Sequence, residues 1–218
     1  MQNNKKIILD LCGGTGSWSK PYKNAGYKVL NLTLPEYDVT KCKFEKNEIL
    51  FPPTLNSVRF YTRHIKIKDV YGILAAPPCT EFSKAKSTKP RNLAEGMKTI
   101  RGCMEIIWHI QENGKLQFWA LENPVGLLRR FLGNPPYSFK QWWFGNNRNK
   151  HTDLWGRFNI PKRKVFNPPA DLQTTKGYFS KDGKELANRN AKWYSNARGP
   201  ERAITPEGFA KEFYKANK

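Results

Sequence analysis

Cysteine and histidine are scarce in this chain of 218 residues, which has four of the first and three of the second. No two cysteines form a CxxC pair, so a zinc site or other metal centre is not expected. The cysteines are Cys12, Cys42, Cys79 and Cys103. No apolar run reaches membrane-spanning length, and residues 7–12, after the basic start, are too few for a signal-peptide core. We therefore expect a cytoplasmic protein with reduced thiols and no membrane partner.

Acidic residues are also few, with 18 Asp and Glu against 38 Lys and Arg, which gives a formal net charge of +20. Such an excess of positive charge favours a polyanionic partner, above all nucleic acid. A generic basic surface on a ribosome-associated protein is the plainer alternative. The length and the 39% hydrophobic content suit one globular domain with a sizeable core.

Apolar runs alternate with helical patterns over the first two thirds of the chain. We predict strands at residues 7–11, 28–33, 70–75 and 117–121, a short strand starting at 38–39 and an inserted β segment within 58–67. Helices are predicted at 18–25, 92–111, about 125–131 and 205–217. This order predicts a doubly wound, mainly parallel α/β sheet. After residue 133 prolines, tryptophans and basic residues dominate, which is typical of a small, basic, irregular C-terminal lobe.

Two turns that follow predicted strands carry reactive side chains. Pro77 and Pro78 end the strand at 70–75 and start a rigid turn, because proline fixes φ and lacks an amide donor. Cys79 on that turn is placed to act as a nucleophile, and an inert buried cysteine is the alternative. Glu122 ends another strand, where burial favours a role as an acid over a surface carboxylate or helix cap. The other three cysteines are interpreted as structural.

A third turn is rich in glycine and follows the first predicted strand, with the sequence Asp10-Leu11-Cys12-Gly13-Gly14-Thr15-Gly16. Glycines let the backbone adopt positive φ and approach a ligand closely, and the following helix start exposes amide donors. A tight turn without a ligand is the alternative. The Gly-Lys-Ser/Thr of phosphate-cradling loops is missing.

In this order, the glycine loop, the Pro-Pro-Cys turn with Phe82-Ser83, and Glu122-Asn123-Pro124 resemble the motifs of the DNA (cytosine-5) methyltransferases. The resemblance covers residues 7–156, with a weaker echo of a late Arg…Thr-Pro motif at 202–209, and is closest to short forms encoded by bacteriophages. It implies a Rossmann-like methyltransferase fold that uses S-adenosylmethionine. It also implies double-stranded DNA as partner, with the target base flipped out of the helix to reach the thiol.

The resemblance also assigns roles to residues. Cys79 would attack carbon 6 of cytosine while Glu122 protonates N3, and Asn123 would shape the turn. In the cofactor site, Trp18 would stack on adenine and Asp38 would accept its amine. The full cofactor set is Asp10, Cys12, Gly13, Gly14, Thr15, Gly16, Trp18, Thr33, Asp38 and Pro78.

Two departures from the family pattern leave alternatives open. Thr33 stands where an acidic residue usually binds the ribose, so either Glu36 substitutes, or affinity is lower, or the donor is a variant of S-adenosylmethionine. The Gln-x-Arg-x-Arg strand that holds the base is replaced by Arg148, Lys150 and Thr152. We expect this segment to complete the catalytic site, unless it is a basic hairpin that touches phosphates only.

Side chains near the thiol turn and in the last third are expected to contact DNA phosphates, with a steep dependence on salt. They are Ser83, Lys84, Lys86, Lys89, Arg91, Arg129, Arg130, Arg148, Lys162, Arg163 and Lys164. Trp142 and Trp143 are expected either to stack on bases or to lie in the core.

The predicted organisation is a catalytic and cofactor-binding core at 1–156, a small basic DNA-contacting segment at 157–202 and a helix at 203–218 that packs back on the core. The middle segment is too short for an independent recognition domain, so we expect a short or relaxed recognition sequence, and a monomer. Two other functions stay open. One is an inactive DNA-binding protein on the methyltransferase fold, and the other is a C5-pyrimidine enzyme that uses RNA or a variant donor.

Overall fold

The computed structural model describes residues 2–58, 61–84, 86, 90–170, 172 and 204–218, and the backbone of two short strands beyond residue 172. The strands are β1 Ile7–Leu11, β2 Lys28–Leu32, β3 Lys43–Phe44, β4 Glu48–Phe51, β5 Arg63–Lys66, β6 Val70–Ala75, β7 Phe118–Pro124, β8 Tyr137–Lys140, β9 His151–Arg157, β10 Tyr178–Phe179 and β11 Glu185–Leu186. The α-helices are α1 Lys20–Asn24, α2 Leu93–Asn113, α3 Arg129–Leu132 and α4 Glu207–Ala216. None of the helices in these ranges is long and apolar enough to cross a bilayer.

A mixed six-stranded sheet in the order β2-β1-β6-β7-β9-β8 forms the centre of the fold. The first four strands are parallel, and β9 and β8 extend the sheet in antiparallel pairing. Strands β1 and β6 are apolar and buried along almost their whole length, as expected for parallel strands covered on both faces. The prediction of an α/β protein with a mainly parallel sheet is confirmed at this level.

Helices cover both faces of the sheet. Successive strand residues point to opposite faces, so neighbouring residues of β1 show which helix packs on which face. Leu9 of β1 belongs to an apolar cluster with Ile107 of α2. Its neighbour Ile8 belongs to a second cluster with Tyr22 of α1 and Phe213 of α4. The long helix and the C-terminal helix therefore lie on opposite sides of the sheet.

Most strands and helices predicted in the first two thirds lie close to their expected bounds, with three differences: the helix expected at about 125–131 begins only at Arg129, β3 and β4 were not predicted, and the strand expected at 38–39 is missing. Residues 38–39 form no strand, because the amide and hydroxyl of Thr40 donate to Asp38 Oδ1 at 2.9 and 2.8 Å and make a turn. The inserted β segment belongs to a separate antiparallel sheet, β3-β4-β5. In the part predicted to be irregular, β8 and β9 join the central sheet, which the proline-rich and basic composition did not indicate.

This topology brings the candidate residues to one edge of the sheet. Strands β1, β2, β6 and β7 are parallel, so the turns that follow them lie at the same edge, which we call the carboxyl edge. These turns contain the glycine loop, Thr33 and Cys79. Strand β9 runs in the opposite direction, so it begins at this edge, directly after Lys150.

Candidate active site

Hydrogen bonds hold Cys79 in its turn after β6. Its carbonyl oxygen accepts from the amides of Phe82 and Ser83 at 3.0 and 2.8 Å. Asn123, which is buried near the end of β7, donates from Nδ2 to the carbonyl oxygen of Pro77 at 3.1 Å. This last bond joins the thiol turn to the Glu-Asn-Pro segment.

Glu122 lies beside Lys150, with 4.0 Å between Oε1 and Nζ. The two side chains are 18% and 24% exposed, so the pair is largely shielded from water. Burial raises the pKa of Glu122 above the usual value for a carboxyl group, Lys150 opposes this effect, and the charge of Asp153 adds to it. The carboxyl group therefore keeps its proton to a higher pH than an exposed glutamate does.

The thiol of Cys79 is close enough to both groups for their charges to act on it. Burial raises the pKa of Cys79, the positive charge of Lys150 lowers it, and the charge of Glu122 raises it again. Lys150 therefore favours the thiolate at this half-buried position, although burial keeps the pKa of Cys79 above its ordinary value. The structure thus brings together the predicted nucleophile, the predicted acid and one residue of the predicted base-holding segment.

Thr152 is 1% exposed, and its Oγ1 has no hydrogen-bond partner within the described part of the chain. The β7–β9 register sets it opposite Pro124, two residues from Glu122, so Thr152 and Glu122 lie on the same face. Asn123 Oδ1 also lacks a partner among the described residues. Buried polar atoms are normally hydrogen-bonded, so these two oxygens are unusual. Thr152 Oγ1 lies on the Glu122 face of the sheet, whereas Asn123, the next residue along β7, points to the opposite face.

Gln141 is a neighbour of the site that sequence reasoning missed. It is buried after β8, its amide donates to the carbonyl oxygen of Lys150 at 3.0 Å, and its Oε1 lacks a partner in the described ranges. No motif marks this glutamine. Only the pairing of β8 with β9 brings it next to Lys150.

The glycine loop has the backbone geometry of a ligand-binding turn. Gly14 and Gly16 have positive φ, at 53° and 72°, and Cys12 has φ 57°, which is uncommon for a residue with a Cβ. A Cβ at Gly14 would meet no described atom within 4 Å, so this side of the loop is open. Asn31 of β2 donates from Nδ2 to the Gly14 carbonyl oxygen at 2.8 Å and ties the loop to the neighbouring strand.

Asp10 supports the glycine loop from inside the protein, and its side chain has no exposed surface; its predicted role in the cofactor site stays a prediction. It is fully buried, and Ser19 Oγ donates to its Oδ2 at 2.5 Å. Burial raises the pKa of Asp10 to about 6, against the effect of the Ser19 bond. A Cβ on Gly13 would lie 2.3 Å from the Asp10 carboxyl carbon, so the close approach of loop and acid requires glycine.

Trp18, which was predicted to stack on adenine, lies in the core. It is 2% exposed, and its ring centroid is 5.8 Å from that of Phe209 and 5.3 Å from that of Phe213. The two phenylalanines belong to α4, which covers the ring. The sequence could not reveal this, because the covering helix lies at the far end of the chain.

Thr33, which was predicted to stand in the place of an acidic ribose ligand, directly follows β2. It is half-buried, and its carbonyl oxygen accepts from the amides of Glu36 and Tyr37 at 3.1 and 3.0 Å. The carboxylate of Glu36 accepts from Ser57 Oγ at 2.9 Å, so it points toward the insertion between β4 and β5. To act as a ribose ligand, the Glu36 carboxylate would have to accept a hydrogen bond from the ribose in addition to the one from Ser57.

Three other predicted cofactor residues keep accessible surface. Thr15 and Pro78 are exposed and Asp38 is half-buried. Asp38 uses Oδ1 for its turn with Thr40, and the hydroxyls of Thr15 and Ser17 share a hydrogen bond of 2.5 Å. The cofactor set is thus divided between an accessible part and the buried Asp10 and Trp18.

Lys86 and Arg91, which were predicted to contact DNA, hold the loop after the thiol turn. Lys86 Nζ lies 2.5 and 2.7 Å from the two carboxylate oxygens of Glu81. The guanidinium group of Arg91 donates to the carbonyl oxygens of Glu81, Ser83 and Lys86. Both charged groups are therefore engaged by acceptors of the protein itself. Lys84, in contrast, is exposed.

Arg163 is also engaged inside the protein. Its guanidinium lies 4.3 Å from the ring centroid of Trp143 and 5.0 Å from that of Trp142, and it donates to the carbonyl oxygens of Val165 and Phe166. Trp142 lies in the core, which was one of the two predicted alternatives. Arg163 therefore stabilises the chain after β9, and its predicted contact with DNA stays a prediction.

Arg129 binds Asp153 through two hydrogen bonds, of 2.7 Å from Nε and 2.6 Å from Nη2. Ser138 Oγ donates to the same carboxylate at 2.6 Å, so α3, β8 and β9 meet at one fully buried acid. Arg148 is half-buried, and its amide donates to Asn146 Oδ1 at 2.9 Å. Lys89, Arg202 and most of the 157–202 segment lie outside the described residues, and the predictions for them stay predictions.

A scan against protein-family models gives no match for this chain, and a search of curated proteins finds no similar sequence. The functional assignment therefore depends on the chemistry of the site and on the resemblance of its motifs.

Proposed function

We propose that this chain transfers a methyl group from S-adenosylmethionine to carbon 5 of cytosine in double-stranded DNA, through a covalent bond between Cys79 and the base. The observation that carries the proposal is the grouping of Cys79, Glu122 and Lys150 at the carboxyl edge, beside an open glycine loop. A shielded thiol, a protonated acid and a cation are the groups that this chemistry needs. The mixed α/β fold, with its mainly parallel sheet, is compatible with a Rossmann-like methyltransferase.

Carbon 5 of cytosine is a poor nucleophile until the ring is activated. Lys150 stabilises the Cys79 thiolate, which forms a bond to carbon 6 and moves the electron pair of the double bond toward carbon 5. Glu122 donates its proton to N3 and so makes the ring a better electrophile. After carbon 5 is methylated, its proton leaves to water, the bond to sulfur breaks, and the double bond and the thiolate are restored. Glu122 then takes back its proton from N3.

When bound, S-adenosylmethionine supplies an electrophilic methyl group. The open backbone at Gly14, the exposed Thr15 and the half-buried Asp38 would hold it, and Asn31 Oδ1, which lacks a described partner, offers an acceptor beside the loop. Trp18 does not fit the role of adenine platform, so adenine must be held by other groups.

The target base must leave the helix stack to reach a half-buried thiol, at a cost of a few kcal/mol. The net charge of +20 supports DNA as the partner, because phosphate contacts offset that cost. The unpartnered Thr152 Oγ1, on the same face of the sheet as Glu122, supports a polar ring at Glu122. We propose a monomer that acts in the cytoplasm of a bacterial or phage-infected cell.

The test is incubation of the protein with duplex DNA and S-adenosylmethionine labelled in its methyl group, followed by mass spectrometry of the nucleosides. We expect label on carbon 5 of cytosine, with loss of transfer in Cys79→Ser and severe impairment in Glu122→Gln. Cys42→Ser is the matched control, since it removes a thiol away from Glu122 and should keep activity. Lack of transfer by the wild type, or full transfer by Cys79→Ser, would refute the proposal.

An inactive DNA-binding protein on the same fold is the second candidate function. The buried Trp18 and the threonine at position 33 favour it, because both weaken the case for a cofactor pocket. Calorimetry with S-adenosylmethionine separates the two: binding supports the enzyme, and absence of binding together with retained DNA affinity supports the inactive protein.

A further inference from the structure

Several basic residues from different parts of the chain lie along a series of backbone contacts that begins just after the Cys79 turn. Ser83 forms a β-bridge with Gly126, and the amide of Val125 donates to the carbonyl oxygen of His151 at 3.1 Å. In the β8–β9 pair, His151 stands directly opposite Lys140. These contacts form a continuous row that leads from Lys84, after the thiol turn, to the far strand of the sheet.

The row carries an excess of positive charge. Lys84 and His151 are exposed and Lys140 is half-buried. Arg129 lies on the same side and forms a bidentate bond with the buried Asp153. The charges of both groups affect the pKa of His151. Burial lowers the pKa of His151, and Lys140, Arg129 and Lys84 act in the same direction, while Asp153 opposes them. The imidazole is therefore neutral near neutral pH, in a field that attracts anions.

We propose that Lys84, Lys140 and His151 form a phosphate-binding surface that holds the DNA backbone beside the nucleotide whose base enters the Cys79 site. The proposal rests on the proposed function, and it names where the backbone is held. Val125 directly follows the Glu-Asn-Pro segment, and Lys84 lies five residues after Cys79, so this surface adjoins the catalytic turn. Two of its three members, Lys140 and His151, were not indicated by the sequence, because only strand pairing makes them neighbours.

A bound phosphate would favour the protonated imidazole, so DNA should bind more tightly as the pH falls through the pKa of His151. Each cation that contacts a phosphate also releases a counterion, which contributes about one unit to the slope of log K against log salt concentration. The surface therefore has two signatures, one in pH and one in salt.

The test is fluorescence polarisation of a labelled DNA duplex with Lys84→Gln, Lys140→Gln and His151→Gln, over a series of salt concentrations and pH values. We expect each lysine variant to lower the salt slope by about one unit, and His151→Gln to lose the gain in affinity at acidic pH. Lys115→Gln is the matched control, because Lys115 is exposed between α2 and β7, at the opposite edge of the sheet.

The binding readout does not require methyl transfer, so the two proposals can fail separately. If wild type methylates DNA while the three variants bind with the salt slope and pH dependence of Lys115→Gln, the surface is refuted and the proposed function stands. If the variants lose slope while no methyl group is transferred, the surface stands and the proposed enzyme activity is refuted.

Discussion

The amine of Lys150 lies 4.0 Å from the carboxyl group of Glu122, and its charge also acts on the thiol of Cys79. The charge of Lys150 thus lowers the pKa of both the thiol and the carboxyl group, although the proposed reaction needs the first deprotonated and the second protonated. It favours the thiolate that attacks the base, and it limits how far burial raises the pKa of Glu122. Because the charge of Lys150 acts on the thiol in the free protein, its effect on the reactivity of Cys79 can be measured without a substrate.

Replacing Lys150 by methionine should raise the pKa of Cys79, because the cation that offsets burial is lost. The midpoint of Cys79 alkylation by iodoacetamide, followed by mass spectrometry over a pH series, should move to higher pH. Lys115→Met is the control and should leave the midpoint in place. An unchanged midpoint in Lys150→Met would show that this charge does not reach the thiol.

Arg129→Ala should destabilise the fold, because it leaves the fully buried Asp153 without its bidentate partner. We expect the free energy of unfolding to fall by about 2–4 kcal/mol, since the loss of a buried partner costs about 3–5 kcal/mol and Arg129 is partly exposed. Denaturant unfolding measures this. The exposed neighbour provides the control: Arg130→Ala should stay within about 0.5 kcal/mol of wild type. Equal stability of the two variants would contradict the prediction.

Stability should fall as the pH rises through the pKa of Asp10. Burial raises this pKa from 3.8 to about 6, so between these values the native state binds more protons than the unfolded chain. The free energy of unfolding then decreases with rising pH, by about 1.4 kcal/mol for each pH unit between the unfolded and the native pKa. In Asp10→Asn this part of the pH dependence should vanish. Urea unfolding of both proteins at about pH 4 and about pH 7, which span most of the range between the two pKa values, tests this. The same decrease in both proteins would show that Asp10 is not its source.

Gly13→Ala should be more disruptive than Gly14→Ala, although Gly14 has the unusual φ. An alanine at position 14 enters open space and should cost about 1–2 kcal/mol for its left-handed backbone. An alanine at position 13 places a methyl group 2.3 Å from the carboxyl carbon of the buried Asp10, so the acid and its Ser19 bond must shift. Thermal unfolding compares the two variants. A Gly13→Ala protein as stable as Gly14→Ala would count against the close packing of loop and acid.

The elements that the sequence predicted well are those with a strong local pattern. The apolar run at 70–75 becomes β6, and the periodic segment at 92–111 becomes α2. A continuous apolar run and an apolar helix face can each be recognised from the local sequence alone. Strands β8 and β9 were hidden, since their residues are mixed with prolines and basic side chains. Their place in the sheet depends on pairing with β7 and with each other.

The order of residues was enough to establish the α/β class, the excess of positive charge and the positions of a cysteine and a glycine loop in turns after parallel strands, which lie at one edge of the sheet. Glu122 was predicted just after its strand and lies within β7, two residues before its end. The order of residues was not enough to tell which charges are internal and which face outward. Lys86, Arg91 and Arg163 look like DNA contacts until their partners are seen, and Trp18 looks like a ligand platform until α4 covers it. Burial and ion pairing join residues that are distant along the chain, so they emerge only when the chain is folded and no local pattern encodes them.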